Sequence, residues 1–197
     1  MNWTRRQLLT TGCAAAGMAA AGAWGQPARA VAVSGDSVGT ASGAVAGAEA
    51  KRIFLRNLHT GEELETEFFR GADYVGDSLA AIKVLLRDFR NDEQHDIDPQ
   101  LMDYLVAVAR HVGVDPVFSV ISGYRSPRTN AQLRERSAGV ARHSMHLEGR
   151  AIDVRLAAVD CAHLAGRALE LTRGGVGYYR TSDFVHLDTG AFRTWKG

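Results

Sequence analysis

His143-Ser144-Met145-His146-Leu147-Glu148-Gly149-Arg150-Ala151-Ile152-Asp153-Val154-Arg155 is the stretch around which the chain is organised. An imidazole, His146, precedes a carboxylate, Asp153, with Gly149 between them. Asp153 lies in the short apolar run Ala151-Ile152-Asp153-Val154, which reads as a buried strand. A carboxylate in such a strand is costly unless it is paired or bound to a cation. A second imidazole lies in a later apolar run, Phe184-Val185-His186-Leu187. Two histidines and one carboxylate make a three-ligand set with a fourth position left for water.

Taken singly, each residue has a plainer explanation. His146 reads as a satisfied core or loop histidine, and Asp153 as the ion-pair partner of Arg150 or Arg155. Arg125 reads as a structural salt bridge and Asp183 as a turn residue. These explanations weaken together, because each part that a metal hydrolase needs is present. The mixed nitrogen and oxygen set suits zinc, one ion per chain, better than calcium or magnesium, which prefer oxygen shells. Asp183, three residues before His186, is the expected general base, with Asp188 as its competitor. Arg125, in the loop that ends an apolar strand, is placed to steady a developing oxyanion. His143, Asp188 and Tyr178 are candidates for supporting or substrate contacts, and Tyr179 shares the groove-lining candidacy of Tyr178. Gly149 and Ala151 are small, as expected where the backbone between ligands turns tightly close to the metal.

Around this centre the chain reads as α+β: a small, mostly antiparallel sheet flanked by helices. Residues 52–70 predict a hairpin turning at Thr60-Gly61, and Leu79, Ile82, Leu85, Leu86 and Phe89 predict a helix over 78–90. Asp98-Pro99 opens a helix that Gly113 closes. Val117 to Ser122 reads as a strand, 134–136 as a short polar helix or loop, and 160–173 as a helix. A last hairpin pairs 175–179 with 184–188. Gly175-Val176-Gly177 leads into a strand and not a helix, so it is no dinucleotide fingerprint. Trp195 is expected to pack on the site or the core. His95 and His111 read as surface or helix-end residues.

Residues 1–30 carry Thr4-Arg5-Arg6-Gln7-Leu8-Leu9, an alanine-rich apolar run, and the small-x-small triplet Ala28-Arg29-Ala30. This is the pattern of a twin-arginine export signal. The run is interrupted by Gly12, Gly17 and Gly22, which argues against a permanent membrane span. Gly12-Cys13 offers lipid anchoring as a weaker alternative, since Thr10 is a poor opening residue for a lipidation box. Residues 31–50, rich in Gly, Ala, Ser and Val, read as a flexible tether, leaving 51–197 as the domain.

Hydrophobic residues make up 46% of the 197 and charged residues 23%, which is ordinary for a soluble globular protein. Arg5, Arg6 and Arg29 belong to the leader; setting them aside from the 23 basic residues leaves 20 against 22 acids. That balance gives no basic stripe for nucleic acid. Cys13 falls in the leader, so Cys161 has no partner and reads as a small buried residue.

Ser122-Gly123-Tyr124-Arg125-Ser126, Ser144-x-His146-x-x-Gly149-x-Ala151-x-Asp153 and Asp183-x-x-His186 together resemble the zinc D-Ala-D-Ala peptidases. That group includes vancomycin-resistance dipeptidases, zinc DD-carboxypeptidases and phage L-alanoyl-D-glutamate endolysins, and it shares the fold of the Hedgehog signalling domain. Residues 51–197, with Phe184-Val185-His186-Leu187-Asp188-Thr189-Gly190, look most like the murein endopeptidases of the bacterial envelope. The resemblance implies zinc on His146, Asp153 and His186, with Asp183 as base and Arg125 on the substrate carbonyl. Many members carry glutamate or histidine at the base position, where this chain has the shorter Asp183. The implied activity is hydrolysis of peptide cross-links in peptidoglycan at meso-diaminopimelate bonds, including links between two such residues. The expected setting is the periplasm, with peptide stems as substrate and the protein a monomer. Two alternatives stay open on the same ligands: a DD- or LD-carboxypeptidase, and a wall-binding module without catalysis.

Overall fold

The structure, a computed structural model, describes residues 49–137 and 139–197. The leader, Cys13 and the tether up to residue 48 lie outside the described residues. Alternation builds the first hairpin: Ile53 and Leu55 of β1 (Ala50–Asn57) point into the core, and Phe68 of β2 (Glu63–Arg70) joins them. A two-residue strand, β3 (Asp73–Tyr74), extends β2, and α1 (Gly76–Leu85) follows.

α1 ends five residues before the apolar spacing predicts. The cause is Asp88, which is wholly buried. Its backbone N–H bonds to the Glu93 carbonyl at 2.9 Å, and its carboxylate accepts from the N–H and hydroxyl of Ser126, both at 2.9 Å. Those bonds take the chain out of the helix. α2 (Pro99–Val112) has the expected ends: the Asp98 side chain accepts from the Gln100 N–H, and Gly113 closes it at φ 89°.

β4 (Val117–Ser122) leads through the Gly123–Ser126 loop into α3 (Pro127–Arg136), a full helix where the sequence left helix and loop both open. A short 3-10 turn (Met145–Glu148) carries His146 into β5 (Ala151–Leu156). α4 (Cys161–Glu170) precedes the hairpin of β6 (Gly175–Tyr179) and β7 (Phe184–Asp188). The chain closes on β8 (Arg193–Lys196), a strand that the sequence reading lacked.

The strands form one eight-stranded sheet in the order β3-β2-β1-β4-β5-β7-β6-β8. It is antiparallel except where β4 joins β1 and β8 joins β6. The fold is therefore α+β, with a mixed, mostly antiparallel sheet. Ile152, Val154 and Leu156 of β5 pack with Val185 and Leu187 of β7 into one core with α1, α2 and α4. Burying each such side chain contributes about 1.5–3 kcal/mol. Their alternates necessarily face the other side. Register pairs Ser122 with Asp153, Asp153 with His186, His186 with Gly177, and Gly177 with Trp195. Five strands thus place one residue each in a row across the sheet, and that row underlies the site. No helix among the described residues is long and apolar enough to cross a membrane.

Candidate metal centre

Sheet pairing makes Asp153 and His186 direct neighbours, and the 3-10 turn lowers His146 onto them from above β5. The turn is capped by the Ser144 hydroxyl, which accepts from the His146 N–H, and Gly149 ends it at φ 64°. The Arg125 N–H bonds to the His146 carbonyl at 3.1 Å, which ties the arginine loop to the histidine turn.

His146, Asp153 and His186 form a buried cluster, and none is more than 7% exposed. His146 Nε2 lies 3.2 Å from Asp153 Oδ1 and 3.2 Å from His186 Nδ1, and His186 Nδ1 lies 2.9 Å from the same Oδ1. The outer nitrogen of each ring is engaged elsewhere. His146 Nδ1 meets the Gly123 carbonyl at 2.6 Å, which makes it the protonated nitrogen. His186 Nε2 meets Asp188 Oδ2 at 3.0 Å and donates to it. Each ring therefore turns a lone pair towards the Asp153 carboxylate. Three acceptors converge on one point, which is the donor set of a divalent cation, and two nitrogens with one carboxylate oxygen fit zinc.

Electrostatics agree with the geometry. Burial, helped by the charge of Arg125, pushes the His146 imidazole down to about 4, so it is neutral. Burial also opposes charge on His186, but its bonds to Asp153 and Asp188 outweigh that and raise its pKa. Burial works against ionised Asp153 too, yet His146, His186 and Arg125 hold it well below the usual carboxylate range. The Arg125 guanidinium bonds to Asp153 Oδ2 and, through Nε, to the Ser122 hydroxyl at 3.0 Å. Asp153 therefore pairs with Arg125. Arg150 turns instead to Thr189, Glu148 and Asp98, and Arg155 to Asp183.

The cluster opens into a cleft of about 340 Å³ that Arg125, His143, Tyr179, Phe184, Arg193 and Trp195 help to line. His143 is thus at the site. Tyr178 is not: it packs against the core, while its neighbour Tyr179 faces the cleft. Asp183 is not brought to the cleft either. It sits in the turn before β7 at φ 51°, its side chain 67% exposed and 3.4 Å from Arg155. It lies three positions before His186, an odd offset, so strand alternation turns it to the other face. Asp188 is wholly buried behind His186, where burial is outweighed by bonds from His186, Arg193 and the Gly190 N–H, and its pKa is held low. It accepts from His186 Nε2 and does not line the cleft. The Gly149 expectation also shifts: the glycine turns the chain as foreseen, but its close neighbour is the Asp96 carbonyl, not the metal position.

Sequence reading passed over Arg193, which bonds Asp188 with both terminal nitrogens. The available signal was parity, since Arg193 and Trp195 stand two apart in an extended segment and share a face. Asp88, which holds the Ser126 end of the arginine loop, was also missed.

A family model described as peptidoglycan L,D-endopeptidase MepK matches residues 45–195. The Escherichia coli (strain K12) peptidoglycan L,D-endopeptidase MepK is 43% identical over 143 residues, covering 73% of this chain and 79% of the relative. The Haemophilus influenzae protein named "Probable peptidoglycan L,D-endopeptidase MepK" is 42% identical over 146 residues, covering 74% and 78%. No solved structure matches the chain. A match spanning residues 45–195, which include the buried His146–Asp153–His186 cluster, places this chain in the peptidoglycan L,D-endopeptidase MepK family.

Proposed function

We propose that the chain is a zinc-dependent endopeptidase that hydrolyses L,D peptide bonds of peptidoglycan at meso-diaminopimelate, including links between two such residues. The carrying observation is the convergence of His146 Nε2, Asp153 Oδ1 and His186 Nδ1 at the floor of an open cleft. The close similarity to relatives that bear this activity in their names supports the same substrate class.

His146, Asp153 and His186 would hold one zinc ion. When bound, zinc supplies a Lewis acid and a water acidified to near neutrality. The chain's own residues supply the rest. Arg125, anchored on Asp153 and Ser122, keeps a guanidinium at the cleft wall, where charge builds on the scissile carbonyl oxygen. His143 lines the cleft outside the ligand set and carries an imidazole, the side chain that most often serves as a general base. It takes the base role that the sequence assigned to Asp183. Tyr179, Phe184 and Trp195 give the opposite wall an aromatic surface for the peptide stem.

The substrate lies outside the inner membrane, which agrees with a twin-arginine signal over 1–30, a tether over 31–50 and a monomeric periplasmic domain over 51–197. Incubating the zinc-loaded protein with purified sacculi and separating the muropeptides tests the proposal. Loss of diaminopimelate-linked dimers with gain of monomers is expected, and chelation abolishes it. Shortened monomer stems with intact dimers would point to a carboxypeptidase instead. Bound but uncut sacculi would point to a wall-binding module.

A further inference from the structure

The Gly175-Val176-Gly177 stretch lies in β6 and is no dinucleotide fingerprint, yet the structure gives it a use. A Cβ on Gly177 would lie 2.4 Å from Trp195 Cε2. A Cβ on Gly175 would lie 2.3 Å from Asp188 Oδ2 and 2.7 Å from Arg193 Nη1. Gly190 makes the same room from the other side, where a Cβ would stand 2.9 Å from Asp188 Oδ1 and 3.0 Å from Arg193 Nη1. Glycines on β6 and after β7 thus vacate the space that two side chains of β8 fill.

Those side chains reach His186. Arg193 grips Asp188 with both terminal nitrogens, Nη1 to Oδ1 at 3.0 Å and Nη2 to Oδ2 at 2.6 Å. The N–H groups of Gly175 and Gly190 add bonds to Oδ1 at 3.1 and 2.8 Å. A carboxylate so held has one orientation, and in it Oδ2 accepts from His186 Nε2. Trp195 lies against the His186 ring, with centroids 5.1 Å apart, and its indole N–H is fixed on the Tyr179 hydroxyl at 3.0 Å. Together they set both the tautomer and the tilt of His186. Partners of this kind orient the ligand and govern metal retention.

We propose that β8 is a positioning element of the metal centre: Arg193, acting through Asp188, and Trp195, acting by packing, hold His186 with Nδ1 turned to the cation, and the Gly175-x-Gly177 pair exists to seat them. Neither residue touches the reacting atoms by this route. The proposal rests on the metal-centre reading above.

The test uses the full chain with Arg193→Gln, Arg193→Lys and Trp195→Phe. Zinc affinity is measured by competition with a chromogenic chelator, and the His186 tautomer by nitrogen NMR of the metal-free protein. Arg193→Gln should weaken zinc about 10- to 100-fold and release His186 from a single Nε2–H tautomer. Arg193→Lys should fall between Gln and wild type, since it keeps the charge but not the two-pronged grip. Trp195→Phe keeps an aromatic ring against His186 but loses the indole bond to Tyr179, and it should cost less than Arg193→Gln. Wild-type affinity and a fixed tautomer in Arg193→Gln would overturn the proposal, even if thermal stability fell. A wild-type chain with the fixed tautomer but no zinc binding would remove the metal reading while leaving β8 as the device that orients His186.

Discussion

His146 Nε2 and His186 Nδ1 face each other at 3.2 Å, and the other nitrogen of each ring is committed to a hydrogen bond. Two lone pairs and the Asp153 carboxylate cannot share that space without a cation between them. Burial opposes charge on His186, yet its bonds to Asp153 and Asp188 raise its pKa, which marks the same demand for positive charge at this point. A divalent ion is the better occupant because it meets all three donors at once. Purified protein should therefore carry about one zinc per chain. His146→Ala, Asp153→Asn and His186→Ala should each lose zinc and hydrolysis together. Zinc at a hundredfold excess over its Kd should stabilise the native state by about 2.7 kcal/mol, seen as a Tm that falls on chelation. A zinc-free His146→Ala protein that still cuts sacculi would defeat this account.

His143 and Asp183 compete for the proton of the attacking water, and their placement separates them. His143 lines the cleft, whereas Asp183 is exposed on a turn beside Arg155. His143→Ala should keep its zinc and lose about 10²- to 10⁴-fold in kcat, the span of a general base. Asp183→Ala should stay within about twofold in kcat, and its exposed pair should contribute less than about 1 kcal/mol to stability. The opposite pattern in the two rate constants would return the base to Asp183.

Local order was largely legible in the sequence, because strand alternation and helix caps are properties of neighbouring residues. Asp98 and Gly113 bound α2 as read, and the β6–β7 hairpin stands at its predicted limits. That His146, Asp153 and His186 come together was legible too, since a histidine and an aspartate buried in apolar strands need a reason. Face was harder. Tyr178 and Tyr179 differ by one residue, and one residue decides core or cleft. Asp183 lies close to His186 along the chain but on the wrong parity. Contacts made only by distant pairing were not legible: Arg193 meets Asp188 because β8 docks on β6, and Asp88 meets Ser126 across 38 residues.

Asp88 is the hidden support of the arginine loop. Its carboxylate accepts from the Ser126 N–H and hydroxyl and from the Arg90 N–H, with no exposure to water. Asp88→Ala leaves those donors without a partner, at about 1–3 kcal/mol for each that stays buried. A lowered denaturation midpoint is expected, together with a fall in kcat, because Arg125 adjoins Ser126. Asp88→Asn keeps one acceptor and should recover part of both. Unchanged stability in Asp88→Ala would show that water replaces the carboxylate.

Gly149 and Gly113 both have positive φ, at 64° and 89°, but different surroundings. A Cβ at Gly113 meets nothing within 4 Å, so Gly113→Ala should cost only about 1–2 kcal/mol of left-handed strain. A Cβ at Gly149 would stand 2.0 Å from the Asp96 carbonyl oxygen, and that backbone must move. Gly149→Ala should therefore lower Tm well beyond Gly113→Ala, and it should weaken zinc binding because His146 is in the same turn. Equal Tm values for the two variants would contradict the contact.

Cys161 opens α4, and it is a packing residue by its surroundings. Burial, with Asp183 nearby, pushes its thiol up from 9.0 to about 11. The sign follows from proton binding. Below pH 9 both native and unfolded chains keep the proton, so the full contribution to stability is present. Between pH 9 and 11 the unfolded chain releases a proton that the native chain retains, and stability falls as pH rises. In a Cys13→Ser background, Cys161→Ala should flatten this part of the alkaline unfolding curve. Native Cys161 should also resist a thiol reagent at pH 8 until denaturant is added, because thiolate is the reactive form. Fast labelling of the native chain, with loss of hydrolysis, would instead make Cys161 part of the active site.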